Sequence, residues 1–178
     1  MAEQSEPVRR RVALRGDGPA INGPRGIAVV GTKAFAAAYF TDNLAVVDLE
    51  SKQDNLVGTI ALGAAPRMSV QRRGEMLFND ATLCFQHWQS CGSCHPDARV
   101  DALNWDLMND GVGNPKNSKS MILSHQTPPV MIKGVRPTAE VAVRSGMAHI
   151  LFADRPEEEA VAIDAYLKSL NPVPSPYL

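Results

Sequence analysis

Short apolar runs separated by polar turns fill the first third of the chain, and helical spacing takes over after Pro66. From Val12 to Val70 the apolar runs are short and bounded by turn residues, which predicts strands. The first is Ile27-Ala28-Val29-Val30, set between Gly23-Pro24-Arg25-Gly26 and Gly31. Ala34 to Tyr39, Leu44 to Leu49 and Leu56 to Leu62 follow, separated by Gly31-Thr32, Thr41-Asp42-Asn43 and Ser51 to Asn55. Short strands joined by brief polar turns predict an antiparallel meander. Beyond Pro66, the residues Val70, Met76, Leu77 and Phe78 fit one helical face across Gly74. Ala139 to Met147 predicts a short helix. Pro156 opens the clearest one, with Glu157-Glu158-Glu159 at its positive end, an apolar stripe through Ala160, Ile163, Ala165-Tyr166-Leu167 and Leu170, and Asn171-Pro172 as the stop. Residues 96–120, rich in Asp, Asn and Gly, predict an ordered loop, and residues 121–137 are broken by prolines. The charged start, ending in Arg9-Arg10-Arg11, predicts a disordered segment or a strand edge, and Pro172 to Leu178 an extended tail. The expected fold class is α+β by segment: a β-meander over residues 1–66 and an all-α unit over residues 67–178.

Composition narrows the function classes. The chain has 178 residues, 44% hydrophobic and 21% charged, the balance of a soluble globular protein. A net charge of -1 gives no electrostatic basis for binding nucleic acid or an anionic membrane. No run approaches the roughly 18 apolar residues of a membrane span. Met1 to Glu6 has neither a basic start nor an apolar core, so no export signal is read there. The expectation is a mature product or a piece of a longer chain.

The chemistry concentrates in Cys91-Gly92-Ser93-Cys94-His95. Two thiols three residues apart, followed directly by histidine, form the attachment pattern of a c-type haem. On a helical turn i and i+3 share a face, so both sulfurs reach the vinyl groups of one porphyrin, and the next residue offers its imidazole to the iron. A redox Cys-x-x-Cys pair and half of a zinc site are the alternatives. The remaining cysteine, Cys84, supplies no second pair for zinc, and a βαβ context for a redox pair is missing. The expected cofactor is one covalent haem c.

Several stretches resemble known families. Pro24-x-Gly26-Ile27-Ala28-Val29, Asn43-Leu44-Ala45-Val46-Val47-Asp48 and Val57-x-Thr59-Ile60-x-Leu62-Gly63 with Pro66 resemble one blade of a YVTN-type β-propeller, over about sixty residues. Propellers need several blades. The resemblance therefore implies further blades upstream, or packing of this one on the haem unit or a second subunit. The helix before the haem motif, the long loop and the C-terminal helix together resemble the cytochrome c fold. There the first and last helices cross, which Gly74 and Phe78 against Tyr166 and Leu167 would fit. Residues 73–170 resemble, more closely, one haem domain of the bacterial di-haem cytochrome c peroxidases. The likeness lies in Gly74-x-x-Leu77-Phe78-x-Asp80-x-x-Leu83, Ser90-Cys91-x-Ser93-Cys94-His95-Pro96, Thr127-Pro128, and Ala139 to Val143 followed by Met147. That family carries two haem motifs and a histidine after the threonine-proline turn; this chain has one motif, and Ile132 to Pro137 offers no histidine. Haem attachment resembling the bacterial pathway implies a periplasmic, extracellular or cell-surface location.

His95 is the expected proximal iron ligand. For the distal side Met147 leads, since it precedes the last helix as a ligand loop would and follows Gly146, which permits close approach. Met131 and His149 are the alternatives, with His125 behind them. Thioether ligation raises the potential and imidazole lowers it. Trp105 is a candidate for the porphyrin edge, while Trp88 reads better as core. Arg99 and Arg136 are candidates for pairing with haem propionates, against an ordinary solvated role. Asp106, Asn109, Asp110 and Asn114 are a candidate calcium loop, but they lack the terminal glutamate of an EF-hand, and a turn-rich loop is favoured. His87 reads as structural or surface. The leading function is a mono-haem c-type cytochrome module that transfers one electron at a time to a redox protein partner. The alternative is the haem domain of a peroxidase-like or propeller-linked oxidoreductase completed by another chain. A surface interaction module with an accessory haem stands third.

Overall fold

The computed structural model describes residues 11–14, 20–51, 58–64, 67–106 and 112–177. The chain divides into two compact units, Met1–Arg67 and Met68–Leu178.

In the first unit, β1 (Pro24–Val30), β2 (Lys33–Ala38), β3 (Asn43–Asp48) and β4 (Gly58–Ala61) form one antiparallel sheet in chain order. The register pairs Ala34 with Val47, Ala36 with Ala45 and Ala38 with Asn43. Side chains alternate across a pleated strand, so these residues share one face, where Ala34, Ala38, Asn43, Ala45 and Val47 are buried. Asn43, the polar member, donates to the Ala20 carbonyl at 3.0 Å and accepts from Thr41 Oγ1 at 3.0 Å. β1 buries none of its residues, and it begins at Pro24 rather than Ile27 because Pro24 pairs with Ala38 across a register shift before Gly26. Leu56 and Val57, expected in the fourth strand, lie outside the described residues, as does the Arg9-Arg10 segment.

The second unit contains α1 (Val70–Phe78), a single turn α2 (Cys91–Cys94), β5 (Asn104–Trp105), β6 (Lys116–Asn117), α3 (Ala139–His149) and α4 (Glu157–Ser169). Ser69 caps α1 by accepting from the Arg72 N–H, and Thr138 caps α3 by accepting from that of Val141. Helices α1 and α4 cross at Gly74, where an added Cβ would fall on the Ala162 carbonyl. Beside that crossing, the rings of Phe78 and Tyr166 are 5.4 Å apart and tilted by 59°. The core around them includes Leu77, Leu83, Ala98, Val143, Met147, Ile163 and Leu167. Asp164 is a polar group within it, accepting from Arg144 Nη1 at 2.6 Å and lying 3.0 Å from His125 Nε2. It ties α4 to α3 and to the turn at Ser124–Gln126.

The all-α expectation for residues 67–178 is overturned. Strands β5 and β6 pair antiparallel, Asn104 with Asn117 and Trp105 with Lys116, inside the stretch expected to be loop. The cause is a side chain: Asp101 accepts from Trp105 Nε1 at 2.7 Å and Ser118 Oγ at 2.7 Å, drawing the two ends of the loop together. With the separate four-stranded sheet, the chain is α+β, and its helical unit carries strands of its own. No helix among the described residues is long and apolar enough to cross a membrane.

Candidate functional site

The motif begins after Ser90, whose extended backbone leads into the turn. The Ser90 N–H donates to Ser93 Oγ at 3.0 Å and the His95 N–H to the Cys91 carbonyl at 3.0 Å, closing one turn that carries both cysteines. A Cβ on Gly92 would stand 2.6 Å from Asn79 Oδ1, so the turn lies tight against the end of α1. Cys91, Cys94 and Cys84 are all free. Burial pushes the Cys91 thiol up to about 12. Burial, and then the charge of Asp101, also raises that of Cys94. Both are therefore protonated near neutral pH. A redox Cys-x-x-Cys pair works through a thiol of lowered pKa, so that alternative does not suit this environment. Among the described residues no three His, Cys, Asp or Glu side chains gather to hold a metal ion.

His95 closes the turn, and its Nδ1 lies 2.7 Å from the Lys119 carbonyl. A carbonyl only accepts, so Nδ1 is the donor, and in the neutral ring Nε2 keeps its lone pair. This is the tautomer of a metal-binding imidazole, oriented and made more basic by its other nitrogen. Sequence reasoning missed Lys119 because a backbone acceptor leaves no trace in residue type. Large apolar side chains stand exposed on the segments flanking the motif, among them Phe85, Trp88, Val100, Leu103 and Phe152. The Phe85 N–H donates to the Leu151 carbonyl at 2.8 Å, bringing the Phe85 and Phe152 segments together. Two protonated thiols on one turn, an imidazole nitrogen free to ligate, and apolar side chains without cover fit a covalently held haem.

The other expected site residues are distributed differently. Met147 is 5% exposed in the core, one of the stripe Ala139, Val143 and Met147 by which α3 packs. Met131 is 52% exposed, at φ 69 and ψ 170, a backbone region that non-glycine residues scarcely enter. The Val130–Arg136 bridge closes the short loop that holds it. His149 is exposed at the end of α3. His125 is bound to Asp164 through Nε2, and its Nδ1 is buried without a partner. The Trp105 indole N–H is spent on Asp101. Arg136 donates through Nε to Ser145 Oγ at 2.9 Å, while Arg99 is exposed. Trp88, expected in the core, is 57% exposed, because Gln86 and His87 before it both adopt left-handed backbone. In the candidate calcium loop the Asn114 N–H donates to Asp106 Oδ2 at 3.2 Å, and Asn109 and Asp110 lie outside the described residues.

No protein-family model matches the chain. Among curated proteins it is similar to hydrazine synthase subunit gamma of Kuenenia stuttgartiensis, 38% identical over 64 residues, covering 35% of this chain and 18% of that protein. Among solved structures it is similar to Kuenenia stuttgartiensis hydrazine synthase pressurised with 20 bar xenon, with a TM-score of 0.54 and 25% identity. That likeness covers 64% of this chain and 40% of the other. The chain thus spans less than half the length of either relative.

Proposed function

We propose that this chain is a c-type haem module of a multi-subunit redox enzyme, holding one haem through Cys91, Cys94 and His95 and passing single electrons to a protein partner. The observation that carries the proposal is the His95 Nδ1–Lys119 carbonyl contact of 2.7 Å beside two free thiols on one turn. When bound, the haem supplies an iron that changes oxidation state by one electron. The chain's residues do the rest: Cys91 and Cys94 anchor the macrocycle, His95 offers Nε2 to it, and the exposed apolar side chains exclude water from its faces. For the distal position the proposal moves from Met147 to Met131. Packing among Val143, Ile163 and Leu167 occupies Met147, whereas Met131 is exposed on a loop that over-determines a costly backbone.

The similarity to a protein named as a subunit of hydrazine synthase supports membership of a larger assembly. The same similarity favours a second reading, in which the module is the haem domain of an oxidoreductase completed by other chains. Likeness to di-haem peroxidases at the motif, a propeller-blade role for the β1–β4 meander and a periplasmic location belong to the same proposal. The test is a redox titration of the matured chain, with peroxide added to each state. A reversible one-electron transition and a spectrum unmoved by peroxide support the carrier. Rapid reaction with peroxide favours the enzyme, and a spectrum with no haem refutes both.

A further inference from the structure

We propose that Asp101 is the positioning residue of the haem site, setting the Lys119 carbonyl against His95 through its hydrogen bond from Ser118. This rests on the reading of His95 as the proximal ligand. The Asp101 carboxylate collects three donors: the Leu103 N–H at 3.0 Å, Trp105 Nε1 at 2.7 Å and Ser118 Oγ at 2.7 Å. Ser118 directly follows β6 and directly precedes Lys119, whose carbonyl receives the His95 Nδ1 proton at 2.7 Å. On the far side of Lys119, the Met121 N–H is fixed to the Ala98 carbonyl at 2.8 Å. The acceptor for His95 is therefore strung between two anchors, and only the Asp101 anchor is made by side chains. The hairpin around it is slight, two residues per strand, with further ties from Asn117 Nδ2 to the Leu103 carbonyl at 3.1 Å and from the Asn114 N–H to Asp106 Oδ2 at 3.2 Å. A ladder that short does not hold its own geometry in water. The carboxylate is what defines the position of residue 119. The Ser118 hydroxyl, then the Leu103 N–H, hold the Asp101 carboxyl below its ordinary range, so the clamp is charged at all pH values near neutral.

The consequence lies in the electronics of the site. A hydrogen bond from Nδ1 to a fixed acceptor makes the imidazole a stronger donor and favours the oxidised metal. Loosening the acceptor weakens His95 as a ligand and raises the midpoint potential. Removing an outer partner of a metal-bound histidine typically costs about 10–100-fold in affinity. Asp101 acts one residue further out, so the expected effect is about tenfold between the two oxidation states, or about 59 mV for one electron.

The test uses the full chain with haem attached, comparing Asp101→Ala and Ser118→Ala with the unsubstituted protein. Ser118→Ala removes one arm and leaves the Trp105 arm, so it keeps the question open to measurement if Asp101→Ala does not fold. The expected result is unchanged haem content, a higher midpoint potential, and displaced NMR signals of the His95 ring. A lower melting temperature with unmoved potential and ring signals would show a merely structural hairpin and overturn the inference. Absence of covalent haem from the unsubstituted chain would instead remove the haem reading and this inference with it.

Discussion

Replacing Gly74 by alanine sets two effects of opposite sign against each other. Alanine in a helix interior is favoured over glycine by about 1 kcal/mol. The structure opposes that gain, because the new methyl would meet backbone, the carbonyl of Ala162, and also stand 2.9 Å from Tyr166 Cβ. Backbone cannot rotate away as a side-chain tip does, so α1 and α4 must part or slide. That disturbs Phe78, Ile163 and Leu167, three of the most deeply buried side chains. Overpacking of this kind typically costs about 1–3 kcal/mol, and a backbone obstacle belongs at the upper end. The net expectation is a loss of about 2 kcal/mol, which in a unit of this size lowers the melting temperature by about 10 °C. Thermal unfolding followed by far-UV circular dichroism reads it directly. A Gly74→Ala protein that melts at the same temperature, or higher as propensity alone would give, refutes the close crossing.

Further outcomes follow from other contacts of the helical unit. Met147→Ala is expected to cost about 2–5 kcal/mol as a core truncation, while leaving any far-red methionine–iron band of the oxidised protein in place. Met131→Ala should abolish that band at little cost in stability, and the reverse pattern returns the distal ligand to Met147. Asp164→Asn removes the charge held between Arg144 and His125, and breaking a buried pair costs about 3–5 kcal/mol; a urea denaturation difference below about 1 kcal/mol contradicts the network. The Lys168 ammonium, 2.7 Å away, holds the Glu140 carboxyl down at about 2. A depressed acid stabilises above its unfolded pKa of about 4.3 and loses that contribution as pH falls toward the folded value. The stability gap between the unsubstituted protein and Glu140→Gln should therefore be small and salt-sensitive at neutral pH and vanish between about pH 4 and 2; a gap constant through that window counts against the pairing.

Much of the fold was legible because its signals are local. Short apolar runs between turn residues placed the four strands of the sheet within a few residues, whereas the crossing of the first and last helices at Gly74 was expected from the resemblance to the cytochrome c fold. The cysteine spacing predicted a helical turn carrying both thiols, and Cys91–Cys94 form one. What stayed hidden depends on single side chains acting across the chain. A ladder of two-residue strands has no periodicity to read, and it exists because Asp101 reaches Trp105 and Ser118. The His95–Lys119 contact spans 24 residues and uses a carbonyl that every residue has. Met147 carries two signals at once: Ala139, Val143 and Met147 recur every fourth residue, the stripe of a packed helix face, while its place before the last helix is that of a ligand loop.

The most direct measurement is the intact mass of the chain matured with haem, taken with the absorption spectrum of its pyridine complex. One haem added per chain, with a spectrum of two thioether bonds that shifts to one bond in Cys91→Ser and again in Cys94→Ser, is the expected result. An unmodified mass under conditions that mature a reference c-type cytochrome contradicts the haem site at Cys91, Cys94 and His95.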